Sequence, residues 1–562
     1  MTHHIRWQIL LIFLGVAVVG ILLTYLAINY TTVLAPGRGG TYVEGIVGLP
    51  RYLNPLLSSS QVDRDICALV FSGLTRLNEH GEVEPDLAHR WDVTFDGRIY
   101  IFYLRSNARW HDGTPVTADD VVFTINLLQD PDFPGPPDLG SKVWQAVTVE
   151  KVDRRTVRFI LPEDRNEHSY APFLDYTTVG ILPAHLLGVR AADLPDAEFN
   201  LNPVGSGPFY LEEIKVEAGT ITAMVLKKHS RYHGARPYLD RIQFRFYPSY
   251  QEVLDAYEAG EVEGIARIPI AALPRSRTLP SLDLFSAQIA EYGIVFLNLE
   301  RPDLPFFQEQ EVRQALLYAL DRQQIIDSVL EGQALVLHSP FIPGTWAYDD
   351  DIPRYEYDPD TAKELLDEAG WELQVRGNGV RRKDGQPLAF TLLTWNEPER
   401  VGVAQMLAEQ WAAVGITVTV EAASPTKLYE ARENRDFEAI LVHLALPGDP
   451  DPYPFWHQAQ IKSGQNYAGF DHRRISEIIE RARVTINRER RQELYYEFQD
   501  IFAQEVPALL LYVPVYTYGV DERIHNVQIG PLMHPSDRFR TISRWWIVPR
   551  RVFVSESEVG RP

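Results

Sequence analysis

The chain has 562 residues, more than a single hydrophobic core of about 250–300 residues serves, so two or three lobes are expected. Its 76 acidic residues outnumber 54 basic ones, and the net charge of −22 argues against nucleic acid as a partner. The single cysteine, Cys67, excludes an intramolecular disulfide and a CxxC redox pair.

The first predicted element is an apolar run from Trp7 to Ile28, WQILLIFLGVAVVGILLTYLAI, without a charge. A helix rises about 1.5 Å per residue, so the run matches the roughly 30 Å of a hydrocarbon core. Arg6 precedes it, which favours a cytoplasmic N-terminus and an extracytoplasmic body. The run is longer than a signal-peptide core of about 7–15 residues. The small-residue site Val33-Leu34-Ala35 is followed by Pro36, which hinders cleavage, and no cysteine follows for lipid attachment. An uncleaved single-pass anchor is expected, with Asn29 to Gly40 as a short spacer that ends in a flexible Gly37-Arg38-Gly39-Gly40.

The body mixes short strands with amphipathic helices. Between His89 and Arg105, two β-rich runs flank Asp96-Gly97, a strong hairpin turn signal. Thr117-Ala118-Asp119-Asp120 predicts a capping box opening a helix whose buried stripe is Val121, Ile125 and Leu128. Asp358-Pro359 starts another helix and Gly370 ends it. Val403, Met406, Leu407, Trp411 and Val414 form one apolar face, closed by Gly415 and followed by a strand at Ile416 to Val420. Ile475 to Arg483 and Arg490 to Ala503 read as charged, solvated helices, each packing one apolar side. Alternation of helix and strand predicts α/β lobes with central sheets.

Common catalytic signatures are missing. There is no GxxxxGK[ST] phosphate loop, HExxH, CxxC or GxSxG elbow. His111-Asp112 sits in a turn-like loop, where neighbours usually point apart. No metal site or cofactor is expected.

Several stretches together resemble the dipeptide/oligopeptide-binding proteins of ABC transporters, the extracellular solute-binding proteins of family 5. They begin with Leu53-Asn54-Pro55-Leu56 and Pro85-Asp86-Leu87-Ala88, then Trp91 and Leu104-Arg105. The most recognisable is Trp110-His111-Asp112-Gly113-Thr114-Pro115-Val116-Thr117-Ala118-Asp119-Asp120-Val121. Pro203 to Phe209, Tyr238 to Ile242, Phe296-Leu297-Asn298, Val312 to Leu316 and Ala319 to Arg322 follow. Tyr357-Asp358-Pro359, Ala369-Gly370-Trp371 and Gly448-Asp449-Pro450-Asp451-Pro452 complete the series. The order and spacing hold from about residue 41 to 545.

The resemblance implies an α/β, periplasmic-binding-protein-like fold of type II in its three-lobed variant. Lobe I is expected over 41–72, 200–294 and 508–550, lobe II over 73–199 and lobe III over 295–507. Two strands crossing near 294 and 507 would form a hinge, about which lobes I and III close on a ligand. The implied function is non-enzymatic: a monomeric receptor that hands peptides or related amine-bearing solutes to ABC permease subunits with their cytoplasmic ATPase. Two other readings stay open, a tethered sensor or chaperone ectodomain and a carboxylate-dependent hydrolase using Asp449 and Asp451.

A buried ligand amine needs an anionic partner. The resemblance points to Asp449 for this, with Asp451 second, although their prolines also give both residues turn duty. Aromatic walls accept varied side chains. Trp395 with Asn396, Tyr292 and Trp456 are candidates, with core packing as the alternative for each. Gly205 and Ser206 would offer backbone groups, and Gln61 lies where the first lobe would touch ligand.

Overall fold

A computed structural model of the protein describes residues 2–136, 142–162, 173–373, 379–446 and 448–553. The strand Glu291–Leu297 shows how apolar runs shape it. Tyr292, Ile294 and Phe296 enter one apolar cluster with Ile440 and Leu510, whereas Val295 and Leu297 enter another with Leu392, Trp411 and Leu509. Side chains alternate across a strand, so a strand covered on both faces reads as a continuous hydrophobic stretch.

This strand lies inside a twelve-stranded mixed sheet. Its main path runs Thr417–Ala423, Ala389–Trp395, Ala439–Ala445, Glu291–Leu297, Ala508–Asp521, Gly264–Ile265, Thr41–Val47, Arg241–Tyr247, Thr220–Lys228, Phe209–Glu217. The strand Ala508–Asp521 changes partner midway. Ala508 to Tyr512 pair with Glu291–Leu297, while Val515 to Asp521 pair with Leu282–Gln288. Along its length only Pro514 and Val515 lose full burial. Proline cannot donate to a ladder, so it belongs where one pairing stops and another begins. The chain therefore passes between the two sheet halves at 288–291 and 513–515, whereas the resemblance implies crossings near 294 and 507.

A separate four-stranded antiparallel sheet holds Ala88–Val93, Ile99–Leu104, Thr156–Ile160 and Thr148–Asp153. Its first hairpin turns at Asp96-Gly97, where Gly97 has φ +70°. The helix Ala118–Gln129 follows, and the Asp120 carboxylate accepts from the Thr117 N–H at 2.8 Å. His111 and Asp112 do point apart: His111 bonds Gly205 and Gly207, and Asp112 bonds His185 at 2.7 Å. Helix Pro359–Glu368 starts as expected, with Asp358 accepting from the N–H of Asp360 and Thr361.

The stretch expected as a short spacer with a flexible glycine end is instead engaged by the body. Thr32–Pro36 is a strand paired antiparallel with Pro549–Phe553, and the Gly37 N–H donates to the Val548 carbonyl at 2.8 Å. The backbone is helical over Thr2–Thr31. Among the described residues no helix is long and apolar enough to cross a membrane. Side chains described without a break in that helix run only from Phe13 to Tyr25.

One fully buried charge network joins four distant segments. Arg538 donates to Asp65 at 2.6 and 2.9 Å and also to Glu44, and all three side chains are 0% exposed. Glu44 accepts from the Tyr42 and Tyr518 hydroxyls at 2.8 and 2.6 Å. Burial pushes Asp65 up to about 6, against the pull of Arg538. Arg538→Met leaves two buried carboxylates without their cation, a loss worth about 3–5 kcal/mol. The expected readout is a matching fall in unfolding free energy from the denaturation midpoint. A change of about 0.5 kcal/mol, as at an ordinary surface position, would refute the network's role.

Candidate functional site

Ligands of open α/β sheets sit beyond the carboxyl ends of parallel strands. Ala389–Trp395 is flanked in parallel by Thr417–Ala423 and Ala439–Ala445. The chain leaves the first of these at Trp395-Asn396 and the third toward Gly448-Asp449, so both candidates lie at one end of the sheet. Trp395 is 38% exposed and Asn396 is exposed, its N–H held by the Ala423 carbonyl at 2.8 Å.

Asp449 is 4% exposed and receives the Arg491 guanidinium at 2.8 Å. Asp451, equally buried, lies 3.0 Å from Arg483. It also accepts from the Tyr453 N–H at 3.1 Å, which starts the short helix Tyr453–Trp456. Arg483 ends the helix Arg473–Arg483 and Arg491 lies in the first turn of Arg488–Glu505, so two helix ends deliver both guanidiniums to one loop. Each is stacked on aromatic rings: Arg483 over Tyr453 at 4.0 Å, Arg491 over Trp346 at 4.5 Å. These helices are thus not simply solvated, because each buries an arginine against a loop aspartate.

A third carboxylate comes from the other side. Asp175, in the 3-10 helix Phe173–Thr178, lies against Gly448, where an added Cβ would sit 3.6 Å from the Asp175 Cβ. Burial, then the charge of Asp449, push Asp175 up to about 7, against the pull of Arg491 and Arg488. Burial pushes the Asp451 carboxyl up as well, against the pull of Arg483.

A second polar group lies along the same sheet. His443, on Ala439–Ala445, contacts the Tyr512 hydroxyl through Nε2 at 3.1 Å and Glu291 through Nδ1 at 3.3 Å. Burial lowers His443 to about 4, so its imidazole is neutral at physiological pH. Arg400, near the start of helix Pro398–Ala412, reaches the Tyr512 hydroxyl at 3.5 Å. Exposed Arg267 is close enough for its charge to act on Glu291 and His443.

The other candidates are placed elsewhere. Tyr292 and Trp456 are buried in one apolar cluster, with Trp456 packed on Phe296 and Phe502 at 5.9 and 4.7 Å, so both are core residues here. Gly205 is needed for close approach: a Cβ there would sit 1.9 Å from the Val70 carbonyl oxygen. Its N–H and carbonyl are both bonded to His111, at 3.1 and 2.8 Å, and so are engaged within the fold rather than presented to a ligand. Ser206 is fully buried, and its hydroxyl has no hydrogen-bond partner among the described residues. Gln61 donates to Asp65 and so belongs to the Arg538 network. Sequence reasoning missed Asp175, Arg483, Arg491, Trp346, His443 and Arg400. The available signal was a pair of arginines at the facing ends of consecutive helices, in a chain rich in acids.

The lobed α/β architecture with a crossing strand pair is that of periplasmic solute-binding proteins. The family model for bacterial extracellular solute-binding proteins, family 5, matches residues 82–467. The oligopeptide-binding protein AppA of Bacillus subtilis strain 168 is 32% identical over 521 residues, covering 91% of this chain and 92% of that protein. Its structure with a nonapeptide superposes with a TM-score of 0.70 at 29% identity, over 92% of this chain and all of that one. The dipeptide-binding protein of Escherichia coli K12 is 26% identical over 91% of this chain and 96% of that protein. NikZ of Campylobacter jejuni, solved with Ni(L-His), gives a TM-score of 0.70 at 25% identity, over 90% of this chain and 99% of that one. This chain belongs to the family 5 extracellular solute-binding proteins and is not an enzyme.

The Asp175 carboxyl supplies a pH test. A carboxyl held above its unfolded value stabilises the fold fully below about pH 4, and loses that contribution as pH rises through its folded value. The stability of the wild type relative to Asp175→Asn is therefore expected to fall between pH 4 and pH 8. Thermal unfolding of both proteins across that range checks it, and a difference that stays flat or grows would contradict the assignment.

Proposed function

We propose that the chain is the membrane-tethered receptor of an ABC importer, capturing peptides or related amine-bearing solutes between lobes I and III. The observation that carries this reading is the buried Asp449–Arg491 pair at the sheet end that also presents Trp395. An ammonium moved out of water needs a counter-charge. Asp449 supplies one, and Arg491 balances it before a ligand arrives. A carboxylate has about four acceptor sites, so an ammonium can share Asp449 with its guanidinium partner. The similarity to AppA and the dipeptide-binding protein favours peptides, and the partner would be a permease with its ATPase.

We take lobe I as 41–72, 200–294 and 508–550, lobe II as 73–199 and lobe III as 295–507. Closure is then a ligand-driven population shift about the two crossing strands. The anchor reading rests on the first helix. Its described apolar side chains, from Trp7 to Tyr25, are 55–72% exposed, so the body does not cover them. A hydrocarbon layer would.

Ligand capture is tested by thermal unfolding of the full chain in detergent against di- to nonapeptides and Ni(L-His). Peptides should raise the melting temperature with the logarithm of concentration. Asp449→Asn and N-acetylation of the peptide should each weaken binding at least about tenfold, or 1.4 kcal/mol. If no peptide stabilises the folded protein, the peptide reading fails. For the anchor, the chain should stay with membranes through an alkaline carbonate wash, and deletion of residues 2–31 should release the body. Release of the intact chain by the wash would overturn the tether.

A further inference from the structure

A cavity of about 410 Å³ lies apart from the loop of Asp449, and its lining reverses the charge of the protein as a whole. Five arginines line it: Arg38, Arg76, Arg236, Arg540 and Arg544. They come from four separate stretches of chain, so no local sequence repeat brings them together. Two carboxylates share the lining, Glu84 paired with Arg76 and Glu79 paired with Arg544, each at 2.7 Å. Arg540 is nine-tenths buried and held 2.6 Å from Asp537. Arg38 and Arg236 are exposed and have no carboxylate partner among the described residues. Three ion pairs thus leave two guanidiniums uncompensated at one cavity.

Like charges gathered in a concave site repel unless an anion joins them, and a guanidinium offers a planar fork that fits phosphate oxygens. The walls are fixed rather than loose. The Gly39 N–H donates to the Tyr238 carbonyl at 2.9 Å, which pins the loop of Arg38 to the wall carrying Arg236, Ala235 and Tyr238. Arg540 also donates to the Pro531 carbonyl at 2.7 Å. The volume falls within the range of about 300–1,000 Å³ for small-ligand pockets.

The position narrows the source of the anion. Arg38 follows the strand Thr32–Pro36, which continues directly from the helix Thr2–Thr31. Seven residues from Thr31 to Arg38 span at most about 25 Å when extended. If the helix is the anchor, the cavity stands within reach of the outer headgroup layer.

We propose that this cavity is a phosphate-binding site, separate from the solute cleft, in which Arg38 and Arg236 take a phosphate group on the membrane-proximal side of the body. The chemistry is shared by two sources, an anionic phospholipid headgroup and a free phosphate. The site goes beyond the transport reading and does not require it, because the cavity is complete without any peptide.

The test uses the full chain in non-ionic detergent, with inorganic phosphate and dihexanoyl phosphatidylglycerol as probes and dihexanoylglycerol as the phosphate-free control. Binding is read by calorimetric titration, in the wild type and in the double variant Arg38→Ala, Arg236→Ala. Neither arginine has an ion pair to lose, so the variant should keep its melting temperature. A phosphate-bearing probe should bind the wild type and bind the variant at least tenfold more weakly, with peptide binding unchanged. Phosphatidylglycerol binding without inorganic phosphate binding assigns the lipid source; binding of both assigns the free anion. Arg38→Lys with Arg236→Lys should restore part of the affinity. No binding of either probe, equal binding by the alanine variant, or equal binding of the phosphate-free control overturns the site.

Discussion

One strand, Ala508–Asp521, belongs to both halves of the large sheet, and the rest of the architecture follows from that sharing. Each half has its own covering helices and apolar clusters, yet neither can be separated without cutting this ladder. Pro514 marks the change of partner because a residue without an N–H cannot continue the pairing. Two nearly continuous strands crossing side by side resist sliding and twisting apart but allow bending where burial is weakest. The proposed clamp would open and close while the two sheet halves stay intact.

The charged clusters show how the protein handles burial on either side of that strand. In the Arg538 network, one cation faces Glu44 and Asp65, and burial raises Asp65 so that the excess negative charge is softened. In the loop at Asp449, two arginines face three carboxyl groups, and Asp175 takes the corresponding role. The first network is sealed by tyrosine hydroxyls and fixes the fold. The second is bounded by aromatic faces and lies at the end of parallel strands. Similar ingredients give a structural joint in one place and the proposed recognition surface in the other.

Much of the fold was legible because its signals are local. Asp96-Gly97 makes the turn its chemistry demands, Asp358 caps the helix it precedes, and Val403, Leu407 and Trp411 face the core at helical spacing. The site was legible only in part. Asp449 and Trp395 were named through a resemblance, and both lie toward the carboxyl end of the parallel strands. Arg483 and Arg491 were read as solvated because periodicity reports the apolar face of a helix, not a charge buried at its end. Their partners are 32 and 42 residues away in sequence, so no short window contains both. Gly205 shows the converse error: a glycine suggested ligand access, whereas Val70 is what crowds it.

The strand Thr32–Pro36, clasped by Pro549–Phe553, has a mechanical consequence. If the first helix is the proposed anchor, a loose leash would let the body sweep a wide hemisphere above the bilayer. A two-ply stem instead shortens the lever arm, so the body's tilt and azimuth would follow those of the first helix. Encounter with a neighbouring membrane complex would then become largely a two-dimensional search by lateral diffusion and rotation, with the body kept at a nearly constant height.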